Sequence, residues 1–214
     1  DFNTVPHAGR PDRRSTDDTT SLAMIDILLA AGANPNAQLK LFPPYRSLRM
    51  DRGADAILDI GTTPLLRAAR GADIPAIERL VKAGALLDLP QRDGITPLMV
   101  AVGAGANSID TRGKFRTAVE ALETADALLE AGAAIDQTDA RGRTALHYAA
   151  AAGYTDVALL LVDRGANLAA ADADGVTPID AANGKLRGGR RGAGAAYPAT
   201  AEALQGRFTA TAAR

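Results

Sequence analysis

Leucine, alanine and valine recur along the chain in short runs that have the spacing of one apolar helix face, and polar turns separate the runs. The clearest copy lies at 139–170. A polar turn at 139–143 precedes a small-residue helix predicted at 144–152, and a break at 153–156 leads into a Leu-rich helix predicted at 157–162. The same order returns elsewhere, so the sequence predicts a repeated unit of turn, helix and helix.

Two anchors measure the period of this unit. The anchors are Thr-(Pro/Ala)-(Leu/Ile) starts at Thr63, Thr96, Thr144 and Thr177, and Gly-Ala stops at Gly32, Gly84, Gly132 and Gly165. Successive starts lie 96 − 63 = 33, 144 − 96 = 48 and 177 − 144 = 33 residues apart, so the middle unit carries an insertion of 48 − 33 = 15 residues. The first stop and the first start lie 63 − 32 = 31 residues apart, against 96 − 84 = 12 later, which indicates another insertion.

Both anchors have a physical reason. A threonine before a helix can accept a free backbone N–H, and proline at the first helical position loses no hydrogen bond. Glycine after the Leu-rich helix can take the left-handed conformation that ends it, and the glycine two residues before each Thr start suits a turn. Helices this short are unstable alone, so each pair has to bury its apolar face against the next pair. Further helices are predicted at 20–31, 64–70, 74–83, 119–130 and 200–208.

The period predicts one elongated domain over 1–214 rather than two globular domains. Its parts are a partial repeat at 1–37, an insertion at 38–60, and repeats at about 61–92, 93–139, 140–172 and 173–214. The helix at 20–31 matches the second helix of a unit and has no companion. We therefore expect upstream repeats, another subunit or the preceding loop to cover its apolar side.

Composition narrows the picture. Hydrophobic residues make up 47% of the chain but aromatic residues only 4%, which fits thin layers of Ala and Leu. The net charge of −1 does not indicate nucleic acid or a membrane surface, and the absence of cysteine excludes disulfides and thiolate metal sites. No apolar run is long enough to span a bilayer. The chain begins with Asp1 inside a repeat, so we expect its start to be missing; bacterial cytoplasm and periplasm both stay open.

Residues 20–37 and 61–208, apart from the insertions, resemble the ankyrin repeat family, and their extended loops look like those of long bacterial ankyrin proteins. The signature residues are Gly142, Thr144, Leu146, His147, Ala149, Ala150, Gly153, Leu160, Leu161, Gly165 and Ala166. The resemblance implies an all-α solenoid of helix-turn-helix layers with short β-hairpin-like turns. The histidine that the family carries after Thr-Pro-Leu is present only at His147. Because Leu66, Met99 and Asp180 replace it elsewhere, we expect those hairpins to be less tied to their neighbours.

The resemblance also implies a non-enzymatic module that binds a protein partner on a concave face made of hairpin tips and first helices. Carried over by position, that face holds Arg67, Arg92, Asp93, Ile95, Val100, Arg141, Arg143, Tyr148, Asp174 and Val176. Tyr148 has no clear core role between Leu146 and Ala149, so either a partner contact or packing on a neighbouring hairpin fits it. Phe42 and Tyr45 flank two prolines in the 38–60 insertion, which is either a partner-binding arm or a flap over its own repeat.

Basic residues cluster before the second helices of alternate repeats. The clusters are Arg10, Arg13 and Arg14; Arg112, Lys114 and Arg116; and Lys185, Arg187, Arg190 and Arg191. In a stack they would share one edge, either as a strip for an anionic partner or as solvated loops. The near-neutral chain favours solvated loops and argues against nucleic acid.

No motif places a pair of titratable groups for catalysis, and none implies a cofactor or a metal. His7 has no partner in view, and the turn at Asp172 lacks the later ligands of a calcium loop. The sequence therefore favours a binding module over an enzyme. The alternative is a structural role, as an assembly subunit of a larger complex or filament.

Overall fold

The computed structural model describes residues 20–41, 57–106, 115–186 and 194–212. Within these ranges the chain forms nine helices and no strand. The helices are α1 (Ser21–Ala30), α2 (Pro64–Arg70), α3 (Ile74–Lys82), α4 (Pro97–Val102), α5 (Ala118–Glu130), α6 (Ala145–Ala152), α7 (Thr155–Asp163), α8 (Pro178–Ala182) and α9 (Pro198–Ala212). The predicted all-α class is confirmed, and α9 is longer at both ends than the helix predicted at 200–208.

Threonine starts the first helix of each pair, as the sequence predicts. The hydroxyls of Thr63, Thr96 and Thr177 accept the backbone N–H three residues later, at 3.1, 3.2 and 3.2 Å. At Thr144 the hydroxyl instead lies 2.9 Å from Nδ1 of His147. A side-chain cap of this kind stabilises a helix by about 1 kcal/mol, so these residues fix where each layer begins.

Glycine ends the second helices, which confirms the predicted left-handed conformation. The φ angles of Gly32, Gly84, Gly132 and Gly165 are +87°, +86°, +99° and +97°. A Cβ added at any of the four would meet no atom within 4 Å. Glycine is therefore needed for its backbone conformation, which costs another residue roughly 1–2 kcal/mol, and not for lack of space.

The helices stack as a solenoid of two-helix layers. Helices α2, α4, α6 and α8 pack on one another in that order, and α1, α3, α5, α7 and α9 form a second row beside them. One apolar core runs through the layers, with small alanines where the helices approach closely. Its largest buried apolar side chains are Leu65, Leu66, Ile77, Leu98, Met99, Leu128, Leu146, Leu161 and Leu204.

Candidate functional site

The turns that precede the first helices are built on one acceptor each. In the turn at Asp139, carboxylate oxygen Oδ1 accepts the backbone N–H of Arg141 at 2.8 Å and of Arg143 at 2.9 Å. Asp172 does the same for Asp174 and Val176, both at 2.9 Å. These bonds close the turn on itself and fix the direction in which its end projects.

Backbone hydrogen bonds connect successive turns. The N–H of Arg92 donates to the carbonyl of Ile60 at 2.9 Å, that of Ala140 to Asp93 at 3.0 Å, and that of Ala173 to Arg141 at 2.8 Å. The turns thus form a continuous row in fixed register. The row does not depend on the family histidine, so the hairpins that lack it keep a direct bond to the next turn.

Glycine allows the turns to come this close. A Cβ on Gly94, whose φ is +82°, would lie 2.7 Å from the backbone nitrogen of Ala140. A Cβ on Gly61 would lie 2.9 Å from Cα of Gln91. Any side chain at these positions would push neighbouring turns apart, which explains why glycine stands two residues before the helix start.

Four of the predicted binding residues lie exposed at the ends of these turns, and we call them the hairpin tips: Arg92, Asp93, Arg141 and Asp174. The guanidinium of Arg92 donates to Asp59 at 2.8 Å and lies 3.8 Å from its neighbour Asp93. Arg67 and Val176 are half-buried behind the tips. The tips therefore form a row of alternating charge on a rigid backbone.

Three other predicted binding residues are not on the surface, and their placement there was wrong. Ile95 and Val100 belong to the apolar core. Arg143 is buried, and its Nε lies 3.3 Å from the carboxylate of Asp172. Burial alone would raise the pKa of Asp172, but backbone N–H bonds from Val176 and Asp174 and the Arg143 guanidinium outweigh it and lower that pKa. Arg143 thus holds two turns together.

Tyr148 takes the packing role of the two that the sequence left open. It packs half-buried against the core, and its hydroxyl donates a short hydrogen bond to Oδ2 of Asp139. Burial first, and then the bond to the Asp139 carboxylate, raises the pKa of the Tyr148 phenol well above 10. The phenol stays protonated and completes the acceptor set of the turn.

His147 joins α6 to the following turn. Its Nδ1 accepts the backbone N–H of Thr144 at 3.1 Å, so Nε2 carries the proton and donates to the carbonyl of Val176 at 2.9 Å. Burial lowers the pKa of the imidazole, which is therefore neutral while it makes both bonds. Leu66 and Met99 cannot form such a bond, while Asp180 accepts from the Thr177 N–H at 3.3 Å.

The basic strip loses one of its members to the core. Arg116, predicted at the exposed insertion edge, is buried, and its guanidinium donates to the carbonyls of Ala69, Arg70 and Ala101. Lys185 is exposed and bonds Asp180 at 2.6 Å. The remaining basic residues of the three clusters, together with Phe42 and Tyr45, lie outside the described residues.

Sequence reasoning missed a set of side chains that link the loops after the second helices; we call Asn36, Asp88 and Asp136 the loop acceptors. They accept the backbone N–H of Leu86, Ala134 and Asn167 at 2.7, 2.9 and 3.0 Å. Each loop acceptor stands four residues after its Gly-Ala glycine, and each donor two residues after the next one. That constant spacing of an Asn or Asp was the available signal.

The described part of the chain offers a surface rather than a cleft. Its best-formed depressions are shallow and open, one along 34–40 with 60–61 and one between α1 and α3. Within the same ranges, no group of three or more His, Asp or Glu side chains is arranged to hold a metal ion. None of the helices there combines the length and the apolarity that crossing a membrane requires.

Comparison with known proteins agrees with this architecture. A family model described as ankyrin repeats in three copies matches residues 116–187. Inversin from Mus musculus is 38% identical over 113 residues, which is 52% of this chain and 9% of inversin. Ankyrin repeat domain-containing protein 63 from Homo sapiens is 34% identical over 121 residues, 56% of this chain and 29% of that protein. Neurogenic locus notch homolog protein 2 from Homo sapiens is 34% identical over 122 residues, 55% of this chain and 4% of that protein. The chain thus spans less than a third of each of these relatives.

Proposed function

We propose that this chain, which belongs to the ankyrin-repeat family, binds a protein partner across its row of hairpin tips. Ankyrin repeats are generally protein–protein interaction modules, and proteins that carry them are typically non-enzymatic. The observation that carries the proposal is the bonded succession of turns, which holds the four exposed tips in one register above a buried layer.

The chemistry of the tips suits a partner with charges of both signs. Arg92 and Asp93 share one tip, and Arg141 and Asp174 occupy the next two. Arginine is enriched among the residues that dominate binding energy at interfaces. Because the turn backbone is already fixed by hydrogen bonds, little ordering cost opposes association. Arg67 and the half-buried ring of Tyr148 border this row, and Phe42 and Tyr45 stay predictions for its extension.

Layer limits belong to the same proposal. We keep one domain with repeats at about 61–92, 93–139, 140–172 and 173–214. The support is the single apolar core that continues from α2 to α9. A partner would then meet a surface assembled from several layers at once, so that binding depends on the stack and not on one repeat.

Site-specific photo-crosslinking tests which face meets the partner. A photoreactive amino acid replaces Arg141 or Asp174 at the tips, and Glu123 or Asp156, both exposed on second helices, in matched controls. We expect both tip positions to capture the same protein from cells of the source organism and the controls to capture none. Capture from the second helices alone would contradict the proposal.

Charge reversal then measures the contribution of one tip. With the captured protein purified, Arg141→Glu should weaken binding by about tenfold or more, because an arginine anchor is lost and a like charge can appear. Asp156→Arg, on the outer side of α7, should leave the affinity unchanged. Equal effects from both variants would show that bulk charge rather than the tips determines binding.

A further inference from the structure

The outward side of α1 is apolar and exposed. Met24, Ile27 and Leu28 are 41%, 56% and 51% exposed, and no residue of this helix is buried. The helix carries one charged residue, Asp26, which bonds Arg79 of α3 at 3.0 Å. The outward side therefore presents large apolar groups without a charge of its own.

Equivalent positions in the other layers are buried. Leu28 stands four residues before Gly32, and its equivalents before the later stops, Leu80, Leu128 and Leu161, are 5%, 0% and 0% exposed. Met24 stands eight residues before Gly32, and its equivalents Ala76, Thr124 and Val157 are 3%, 0% and 0% exposed. The register of α1 is thus that of an interior helix, although its surroundings are those of an end.

The later layers show what covers such positions. Helix α3 packs on α2 and α1, α5 on α4 and α3, and α7 on α6 and α5. Each second helix is covered by the first helix of its own layer and by the preceding layer. Within the described residues, α1 has the layer that follows it but neither of those two.

The loop after α1 points the same way. In the later layers the N–H two residues after the helix-ending glycine bonds a loop acceptor of the preceding layer. Asn34 holds this position in the first layer, and within the described residues its N–H meets no such oxygen. The apolar face and the backbone donor together repeat one half of the interface that joins every later pair of layers.

We infer that this end of the stack docks a helix-turn-helix layer of a partner protein. The layer presents an apolar face of Leu and Ala to Met24, Ile27 and Leu28, and an Asp or Asn side-chain oxygen to the N–H of Asn34. The inference follows from continuity with the interface that the chain already forms four times, and it concerns a surface separate from the hairpin tips.

A second copy of the chain does not supply this layer. At the other end, α9 exposes Glu202, Gln205, Arg207 and Thr209, which would set polar groups against the apolar face of α1 in a head-to-tail contact. A two-fold contact between two α1 helices would rest on three large side chains per copy. Stable interfaces bury roughly 800 Å² per partner, which three side chains do not provide.

Fluorescence anisotropy tests the docking surface with a defined probe. The probe is a labelled synthetic peptide of residues 139–170, the most regular layer of this chain, titrated with the full chain. We expect saturable binding that Leu28→Glu weakens by about tenfold or more, because a charge would enter the apolar contact. Leu86→Glu is the matched control, since Leu86 is 57% exposed outside the α1 face, and it should bind as the unmodified chain does.

Two further measurements settle the occupant. Hydrogen exchange at the amide of Asn34 should slow when the probe binds, whereas the amide of Leu86, already bonded to Asn36, should not change. Sedimentation equilibrium should show a monomer. Absence of saturable binding at millimolar peptide, equal weakening by both variants, or a dimer that Leu28→Glu dissociates would each overturn the inference, the last in favour of a second copy.

Discussion

Two junctions in the stack solve the same problem with different side chains. Where α6 meets the turn before α8, the imidazole of His147 bonds the Thr144 N–H and the Val176 carbonyl. Where α2 and α4 end side by side, the guanidinium of Arg116 bonds carbonyls of both helices, and Arg70 reaches the Gly105 carbonyl at 3.1 Å. The first junction uses a neutral group near helix starts, and the second uses a cation at helix ends.

The difference between the junctions follows from the ends of an α-helix. Helix starts leave backbone N–H groups without intrahelical partners, so an acceptor such as Nδ1 of His147 suits them. Helix ends leave carbonyls and a partial negative charge, so a buried arginine satisfies several acceptors at once. The His147 junction should therefore respond to pH near neutrality, whereas the Arg116 junction should respond only to removal of the side chain.

Removing the guanidinium should have the largest effect. Arg116→Ala leaves buried carbonyls of α2 and α4 without their donor and opens space in the core, so we expect a loss of about 3–5 kcal/mol in the free energy of unfolding. Urea denaturation followed by circular dichroism measures it. Arg116→Lys keeps the charge but loses the fork of donors and should recover only part of the loss. A change below about 1 kcal/mol would mean that Arg116 is solvated.

Replacing the imidazole should have a smaller effect. His147→Leu gives the fourth layer the residue that the second layer has at Leu66, so the variant directly compares a junction with and without the histidine. The buried N–H of Thr144 loses its acceptor, for an expected cost of about 1–3 kcal/mol in urea denaturation. An unchanged midpoint would show that the backbone bonds between turns suffice on their own.

The same histidine should make stability depend on pH. Burial lowers the pKa of His147 from its usual 6.5, so below that pH the unfolded chain binds a proton that the folded chain refuses. The contribution is fully present above pH 6.5 and is lost as pH falls through the lower folded pKa. Between pH 7.5 and 5 the unmodified chain should therefore lose more stability than His147→Leu. Parallel profiles would contradict this, since His7 is present in both proteins.

An outer ion pair should have the smallest effect. Arg164 of α7 lies 2.6 Å from Asp126 of α5, with 39% and 41% of the two side chains exposed. Solvent screens such a pair, so Arg164→Ala should cost no more than about 0.5 kcal/mol in the same denaturation assay. A loss comparable to that of His147→Leu would mean that the outer row, and not the turns, holds α5 to α7.

Much of the fold was predictable from the sequence because its signals are local. A threonine cap and a glycine stop act within four residues, so the position of each marks a helix end directly. The row of turns followed from glycine at a constant offset. The single histidine at His147 was equally informative, since the resemblance assigned its bonds before they were seen.

The remainder was not predictable because it depends on contacts between distant segments. Arg116 sits among charged residues in an insertion, where a cation is usually solvated, and nothing nearby shows that it reaches the ends of two helices. Val100 and Ile95 were placed on the surface by position in a generic layer, yet here neighbouring layers bury them. Local pattern specifies a layer, and the depth of each side chain is decided only when layers meet.

The direct backbone bonds between successive turns also have a consequence for how this chain could change over generations. Those bonds use the main-chain atoms of Arg92, Asp93 and Arg141 and leave their side chains outside the connection. Substitution at the tips can therefore alter what is recognised without disturbing how the layers are assembled. A scaffold of this kind separates heritable variation in specificity from the requirement to fold, which makes the tips the natural positions for grafting or diversifying a binding surface.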